Sequence, residues 1–459
     1  TNKNKFNLIV PLHQSINFFI STFLYWTNTP TNQTTMSNPS DQYTALVLDC
    51  GTGETKALLL QYHAVGANGP HVQEKQVSKK LAPVSAFLNN EEPCDNFEFL
   101  SKQHRPTEKG SVLKEKHFIQ YCLEQRHIHQ ADTVVIGCSA WFRADHSQAD
   151  DEKELVRHLK AVILIQNLQA CGFQCRILHE KMESYFEAAA VAYAYSRMLG
   201  REELPAGCLS GGSGSSQFAH EFSRFLCIER GNKKCKVAMN KLFEEKGNFE
   251  EAFQLLDEFA NGTADCEVSR HIADQKASTA LELPNDDERR AFAQPLSGVV
   301  VLISACYYAA VEVGLANKDN TMKSFPATLV IERMRTKVEE YKGLLRAYAE
   351  DPEANPLPLN RKGKPSRPID ILLPIVNLTL HSTLYGQLFD VENTELIFKR
   401  DWEIGDEKFR TTWTSGWFLN HISEKFNLQF PGSNSVLQRY QAWRKTCPNV
   451  KKYEQSPVI

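Results

Sequence analysis

The chain lacks a strong charge of either sign. Across 459 residues, 52 basic side chains stand against 55 acidic ones, a formal net charge of −3. Such a balance leaves no electrostatic footprint for nucleic acid or for an anionic membrane surface. The densest basic stretch, "NRKGKPSRP" at 360–368, is punctuated by proline and glycine and reads as a solvated linker. Metal-binding and disulfide spacings are missing too. The 12 cysteines are scattered, and neither Cys171 with Cys175 nor Cys122 with His127 and His129 matches a zinc pattern. Free buried thiols in a reducing compartment are the simpler account, which makes a cytoplasmic protein the expectation. The sequons at Asn32, Asn261 and Asn377 are too easily met by chance to argue for secretion.

Long uninterrupted apolar runs are also scarce. "KNKFNLIVPLHQSINFFISTFLYW" begins as a signal or anchor does, with lysines before an apolar stretch, but Pro11, His13, Gln14 and Asn17 interrupt it. A spanning helix needs about 20 mostly apolar residues. Met36 stands just ahead of the first convincing strand, so residues 1–36 read as a leader outside the folded protein. Secretion or anchoring through residues 6–26 is the alternative. "SGVVVLISACYYAAVEVGL", at 297–315, is apolar on every face. With Ser304, Cys306 and Glu312 inside it, a buried core helix is expected rather than a span.

What is present is an ordinary globular composition, 42% hydrophobic and 23% charged, in a chain long enough for two lobes. Strands are expected at "ALVLD" and "KALLL", at "TVVIG" (133–137) and at "CRIL" (175–178). Helical patterns lie at 111–126, capped by Ser111, and at 151–170, ended by Gly172. "EKMESYFEAAAVAYAYSRMLG" is a strong helix with Gly200 as its stop. Further helices are expected near 233–260, 300–316 and 334–350, and "TTWTSGWFLNHISEKF" is amphipathic. Strands first, then strands alternating with helices, indicate an α/β lobe with a mixed sheet.

Three short segments carry the chemistry. "VLDCGTGETKALLL" (47–60) is either a plain hairpin turned by Gly51 and Gly53 or a phosphate cradle. In the second reading freed backbone amides join the Thr52 and Thr55 hydroxyls, and Asp49 holds a metal or its water. The spacing is not that of a Walker loop. "SGGSGSSQ" (210–217) is either a flexible linker or a second cradle clamping the same polyphosphate, with Gln217 able to orient a water. Glu183, early in the Ala-rich helix, is either a dipole-favoured acid or a base that takes a proton from an attacking water. Glu180 and Glu187 show that acids are not unusual there.

The order of these segments resembles the apyrase family, the nucleoside triphosphate diphosphohydrolases, and more distantly the exopolyphosphatases, both of the actin-like ATPase superfamily. "DCGTGETK" resembles the first apyrase region, Asp-x-Gly-Ser-Ser-x-Thr. "GCSAWFR" (137–143) is similar to the second, Gly-Ala-Thr-Ala-Gly-Met-Arg, with Ser139 on its threonine and Arg143 on its arginine. "EKMESYF" resembles the third, with Glu183 on the water-activating glutamate. "LSGGSGSSQ" resembles the fourth, Leu-Asp-Leu-Gly-Gly-Ala-Ser-Thr-Gln, and "WTSGWFL" (413–419) the fifth. Ser210 stands where the fourth region has its aspartate, Ser213 replaces a glycine there, and Trp141 replaces a glycine in the second region.

The resemblance implies an α/β fold of two actin-like (ribonuclease H-like) lobes: lobe I over 37–178, lobe II over 179–408, and a C-terminal helix and tail over 409–459 returning to lobe I. Phosphates would be bound by Gly51, Thr52, Gly53, Thr55, Ser139, Arg143, Gly212, Ser213, Gly214, Ser215 and Ser216. Mg²⁺ or Ca²⁺ would sit near Asp49 and Ser210, and Glu183 with Gln217 would activate the water. The implied partner is a nucleoside di- or triphosphate, hydrolysed without a phosphoenzyme. A nucleotide-binding module without turnover, favoured by Ser210 and Trp141, and an exopolyphosphatase are the alternatives.

Overall fold

The computed structural model describes residues 42–51, 55–64, 71–76, 131–138, 174–178, 180–212, 215–229, 249–260, 266–281, 283, 285–316, 321–359, 363–404 and 407–446. The expected leader, the helices at 111–126 and 151–170, and the 233–248 part of the next one lie outside these residues. So do Thr52, Gly53, Ser139, Trp141, Arg143, Ser213 and Gly214, and the side chain of Thr55.

Five strands form the first sheet: β1 (Gln42–Cys50), β2 (Thr55–His63), β3 (His71–Gln76), β4 (Thr133–Cys138) and β5 (Gln174–Ile177). Their order is β3-β2-β1-β4-β5. β1, β2 and β3 pair antiparallel, whereas β4 and β5 run parallel to β1. Helix α1 (Glu180–Leu199) follows, and it ends at Gly200, whose φ of +64° is the left-handed stop a side chain resists.

The second sheet opens with β6 (Gly207–Gly211), β7 (Ser215–His220) and β8 (Arg224–Glu229). Helices α2 (Phe249–Ala260), α3 (Glu267–Leu281) and α4 (Asp286–Ala293) come next, then β9 (Leu296–Ser304) and α5 (Ala305–Glu312). β10 (Ser324–Pro326), α6 (Ala327–Glu350), α7 (Pro368–Leu388) and β11 (Phe389–Phe398) complete it. Read from β8, the order is β8-β7-β6-β9-β11-β10, with β9 and β11 parallel to β6. Apart from the edge strand β10, this is the first sheet's order again: three consecutive antiparallel strands, then two parallel ones. Two ribonuclease H-like α/β lobes therefore follow each other in the chain. A small hairpin, β12 (Asp401–Ile404) and β13 (Glu407–Arg410), leads into α8 (Trp413–Phe426) and α9 (Ser433–Thr446).

The segment 297–315, expected as one buried helix, is instead β9 followed by α5. A strand buried on both faces between parallel neighbours reads as a continuous apolar run, which periodicity cannot tell from a buried helix. The β-branched Val299, Val300, Val301 and Ile303 favour the strand. The helix expected at 334–350 already begins at Ala327. Among the described residues, no helix is long and apolar enough to cross a membrane. Six of the described cysteines, Cys50, Cys138, Cys208, Cys227, Cys266 and Cys306, are buried.

Two cores hold the elements together. One lies on the far face of the second sheet, where Leu209, Phe218, Val300, Leu302 and Leu396 meet α2, α3, α5, α6 and α7. The other lies between the sheets. Tyr43, Ala45 and Val47 of β1 face inward from one side, Cys208, Ala219, Val301 and Ile303 from the other, and α1, α8 and α9 fill the space between. Helices α8 and α1 cross closely at Gly416: a Cβ there would lie 2.9 Å from Phe186 Cα, with the Phe186 carbonyl nearer still. Only glycine fits at that crossing.

Candidate active site

Alternation along β1 carries Asp49 onto the same face as Tyr43, Ala45 and Val47, toward α8. There Trp413, the first residue of α8, donates its indole Nε1–H to Asp49 Oδ1 at 2.9 Å. The indole lies on Gly137, the β4 register partner of Asp49, where a Cβ would be 2.8 Å from Trp413 Cζ2. Thr412 caps α8 by accepting from Ser415 N, which fixes the helix start that presents the tryptophan. No local pattern in the sequence encodes this contact beyond the tryptophan that heads the fifth apyrase-like region.

Ser210 occupies the equivalent position in the second sheet. It is the penultimate residue of β6, as Asp49 is of β1, and each is followed by one residue and then the first hairpin turn of its sheet. Ser210 Oγ donates to Glu187 Oε1 of α1 at 3.0 Å. Both groups are buried, Ser210 to 1% exposure and Glu187 to 6%. The charge of Glu187 also reaches Cys208, two residues back on the same face: burial first, and then that carboxylate, push the Cys208 thiol well above its ordinary range. Glu183 lies one helical turn before Glu187 on the same face of α1 and is likewise buried. Between them Ser184 Oγ donates to the carbonyls of Phe218 and Leu226, each at 3.2 Å, and so pins this turn of α1 to β7 and β8.

Gln217 pairs with Ser210 across β6 and β7, which sets both side chains on the α1 face. Its Nε2 donates to Ser215 Oγ at 2.7 Å and approaches Cys227 Sγ at 4.0 Å. The amide is thus held by its nitrogen end. Gly212, expected to offer its N–H to phosphate, closes the turn onto the Ser215 carbonyl at 2.8 Å. Ser216 does not join the group. Its register partner is Gly211, over which the His381 ring of α7 sits, so Ser216 faces the opposite side of the sheet. Its hydroxyl is fully buried and has no hydrogen-bond partner among the described residues.

The structure thus brings Ser210, Ser215 and Gln217 onto the α1 face, with Glu187 bonded to Ser210 and Glu183 one turn before Glu187 on that helix. Asp49 belongs to the same layer through Trp413, Gly416 and the backbone of Phe186. Every candidate donor is an oxygen, the chemistry a hard cation takes. Among the described residues no three acids, histidines or cysteines are close enough to hold a metal by themselves. A cavity of about 790 Å³ lies at the other end of α1, lined by Arg197, Arg201 and Gln438 among others. At 1.5 Å per residue, Arg197 is about 20 Å along the helix from Glu183, too far to share in chemistry there.

No protein-family model and no curated protein matches the chain. Among solved structures it is similar to the Ppx/GppA family member of Aquifex aeolicus, at 11% identity and TM-score 0.40, over 84% of this chain and 99% of that one. An exopolyphosphatase from Cytophaga hutchinsonii is similar at 11% identity and TM-score 0.38, over 83% and 98%. Nucleoside triphosphate hydrolases from Neospora caninum are similar at 11% identity and TM-score 0.41, over 88% and 95%.

Proposed function

We propose that this chain hydrolyses phosphoanhydrides, with nucleoside tri- and diphosphates as substrates, by direct attack of an activated water. One observation carries the reading. Two equivalent hairpin turns, each the first of its sheet, are joined at their roots by Asp49–Trp413, the Gly416–Phe186 crossing and Glu187–Ser210, with Glu183 one turn along the same helix. A polyphosphate would lie across the two turns, with the backbone at Gly51 and the hydroxyl of Ser215 toward its oxygens.

In this reading Glu183 takes the proton from a water. The water oxygen bonds to the terminal phosphorus, and the bridging P–O bond breaks with its electrons going to the leaving phosphate. Gln217, held through its nitrogen, offers its carbonyl oxygen to orient that water. A divalent ion, when bound, offsets phosphate charge, and Asp49 is a carboxylate that would hold it. The second reading, nucleotide binding without turnover, is favoured by one residue: the neutral Ser210 where the apyrase-like pattern carries an acid.

Phosphate release by the full chain tests this across nucleoside di- and triphosphates and inorganic polyphosphate, with Mg²⁺, Ca²⁺ or EDTA. Metal-dependent release that disappears in Glu183→Gln, with nucleotide affinity retained, is the expected result. Undiminished release by Glu183→Gln would overturn the role of that residue. Tight metal–nucleotide binding with no release would select the second reading.

A further inference from the structure

We infer that Glu187 is the carboxylate that holds the divalent ion on the second-sheet side of the cleft, taking over the charge that Ser210 does not carry. This rests on the phosphoanhydride-hydrolase reading above.

The repeated topology supplies the first argument. Asp49 and Ser210 occupy the same place in two equivalent sheets, at the end of the central strand and before the first hairpin turn. One place carries a charge and the other does not. In both, the helical layer between the sheets reaches in to the side chain, but the polarity is reversed. At Asp49 the helix residue donates to the strand: Trp413 Nε1 to Asp49 Oδ1, 2.9 Å. At Ser210 the strand donates to the helix: Ser210 Oγ to Glu187 Oε1, 3.0 Å. Each strand end therefore has one carboxylate within hydrogen-bond reach, its own in the first sheet and a helix-borne one in the second.

The direction of the second bond matters. A serine hydroxyl has one hydrogen and two lone pairs. With its hydrogen committed to Glu187, its two lone pairs are left as acceptors, the role that a cation or its bound water needs. Serine and glutamate together then present negative charge through an oxygen at the strand end. The arrangement also separates two jobs on one helix. Side chains four apart sit about 5–6 Å from each other at Cβ, so an ion held at Glu187 lies beside the water that Glu183 deprotonates, with neither acid serving both.

The test is Mn²⁺ binding to the full chain, followed by the electron paramagnetic resonance signal of free Mn²⁺, in the presence of a β,γ-methylene nucleoside triphosphate. Glu187→Gln keeps the shape and a hydrogen-bond acceptor for Ser210 but loses the charge; Mn²⁺ affinity should fall at least tenfold. The double variant Ser210→Asp with Glu187→Gln returns the charge to the strand and should recover affinity to within threefold of wild type. If Glu187→Gln does not fold, the double variant decides alone: recovered affinity supports the transfer of charge, and a folded double variant without Mn²⁺ overturns it. Unchanged Mn²⁺ affinity in Glu187→Gln, in a protein whose phosphate release Glu183→Gln abolishes, removes Glu187 while leaving the hydrolase reading intact. A wild-type chain that neither binds Mn²⁺–nucleotide nor releases phosphate overturns both.

Discussion

Gly416→Ala sets two physical effects against each other with opposite signs. Gly416 lies inside α8, where alanine is intrinsically favoured over glycine by about 1 kcal/mol. Propensity alone therefore expects a more stable protein. The crossing with α1 expects the reverse. The added Cβ would sit 2.9 Å from Phe186 Cα and closer to the Phe186 carbonyl, whereas carbon atoms rest at about 3.5–4.0 Å. The obstacle is backbone, so no side chain can rotate away, and with the Phe186 carbonyl oxygen as the nearest atom the helices must part by about 1.5 Å. Parting loosens Trp413, Phe418 and Leu419 against Phe186 and Ala190, all buried between the sheets. Overpacking of this kind costs about 1–3 kcal/mol, and a backbone contact belongs at the upper end. After the propensity gain, a net loss of about 2 kcal/mol remains. At roughly 2–4 °C per kcal/mol for domains of 150–250 residues, Tm should fall by about 4–8 °C. Guanidinium and thermal denaturation, followed by far-ultraviolet circular dichroism, measure it. Glu424→Ala, on the exposed side of the same helix, is the control and should change stability by no more than about 0.5 kcal/mol. A Gly416→Ala protein as stable as wild type, or more so, would refute the close crossing.

Two further outcomes follow from backbone conformation and from buried imidazoles. Ser304 ends β9 at φ 59° and ψ −122°, and its side chain makes no capping hydrogen bond. Such a conformation costs a non-glycine residue about 1–3 kcal/mol, so Ser304→Gly should stabilise by about 1 kcal/mol after the entropic cost of glycine. A denaturation midpoint that drops in Ser304→Gly would show that no strain resides there. His421 accepts from or donates to the Tyr43 hydroxyl at 3.0 Å, and burial, then the Lys425 charge, lower its pKa from 6.5 to about 4. His220 is lowered to about 4 as well, chiefly by burial. Between pH 6.5 and 4 the unfolded chain binds protons that the folded chain refuses, so stability is full above about pH 6.5 and declines as pH falls toward 4. The slope of stability against pH over that window should be shallower in His421→Gln; an identical slope would mean His421 titrates alike in both states.

How much of this was legible in the sequence depends on how far apart the partners are. Asp49 at a strand end, Glu183 in an early helical turn and Gln217 on the second hairpin are local features, and their motifs place them where the structure does. Trp413 over Asp49 joins residues 364 positions apart, and no local pattern encodes such a contact. Glu187 was visible only as one acid among several, because its meaning comes from Ser210, 23 positions away and across a packing interface. Ser216 was grouped with Ser215 by adjacency, yet neighbouring residues in a strand face opposite ways. The β9 segment misread as helix failed for a different reason: when both faces are buried, the period that separates strand from helix is erased.

The return of α8 to the first sheet also has a consequence in time. The tryptophan that engages Asp49 is made 364 residues after it. At about 5–20 residues per second, β1 waits on the order of 20–70 s before its inner face is covered. During that interval Tyr43, Ala45 and Val47 have no α8 to pack against, although all three are buried in the finished molecule. The first sheet is thus closed over β1 only once α8 has been made, and a chain cut short anywhere before Trp413 leaves it open along the face that holds the candidate site.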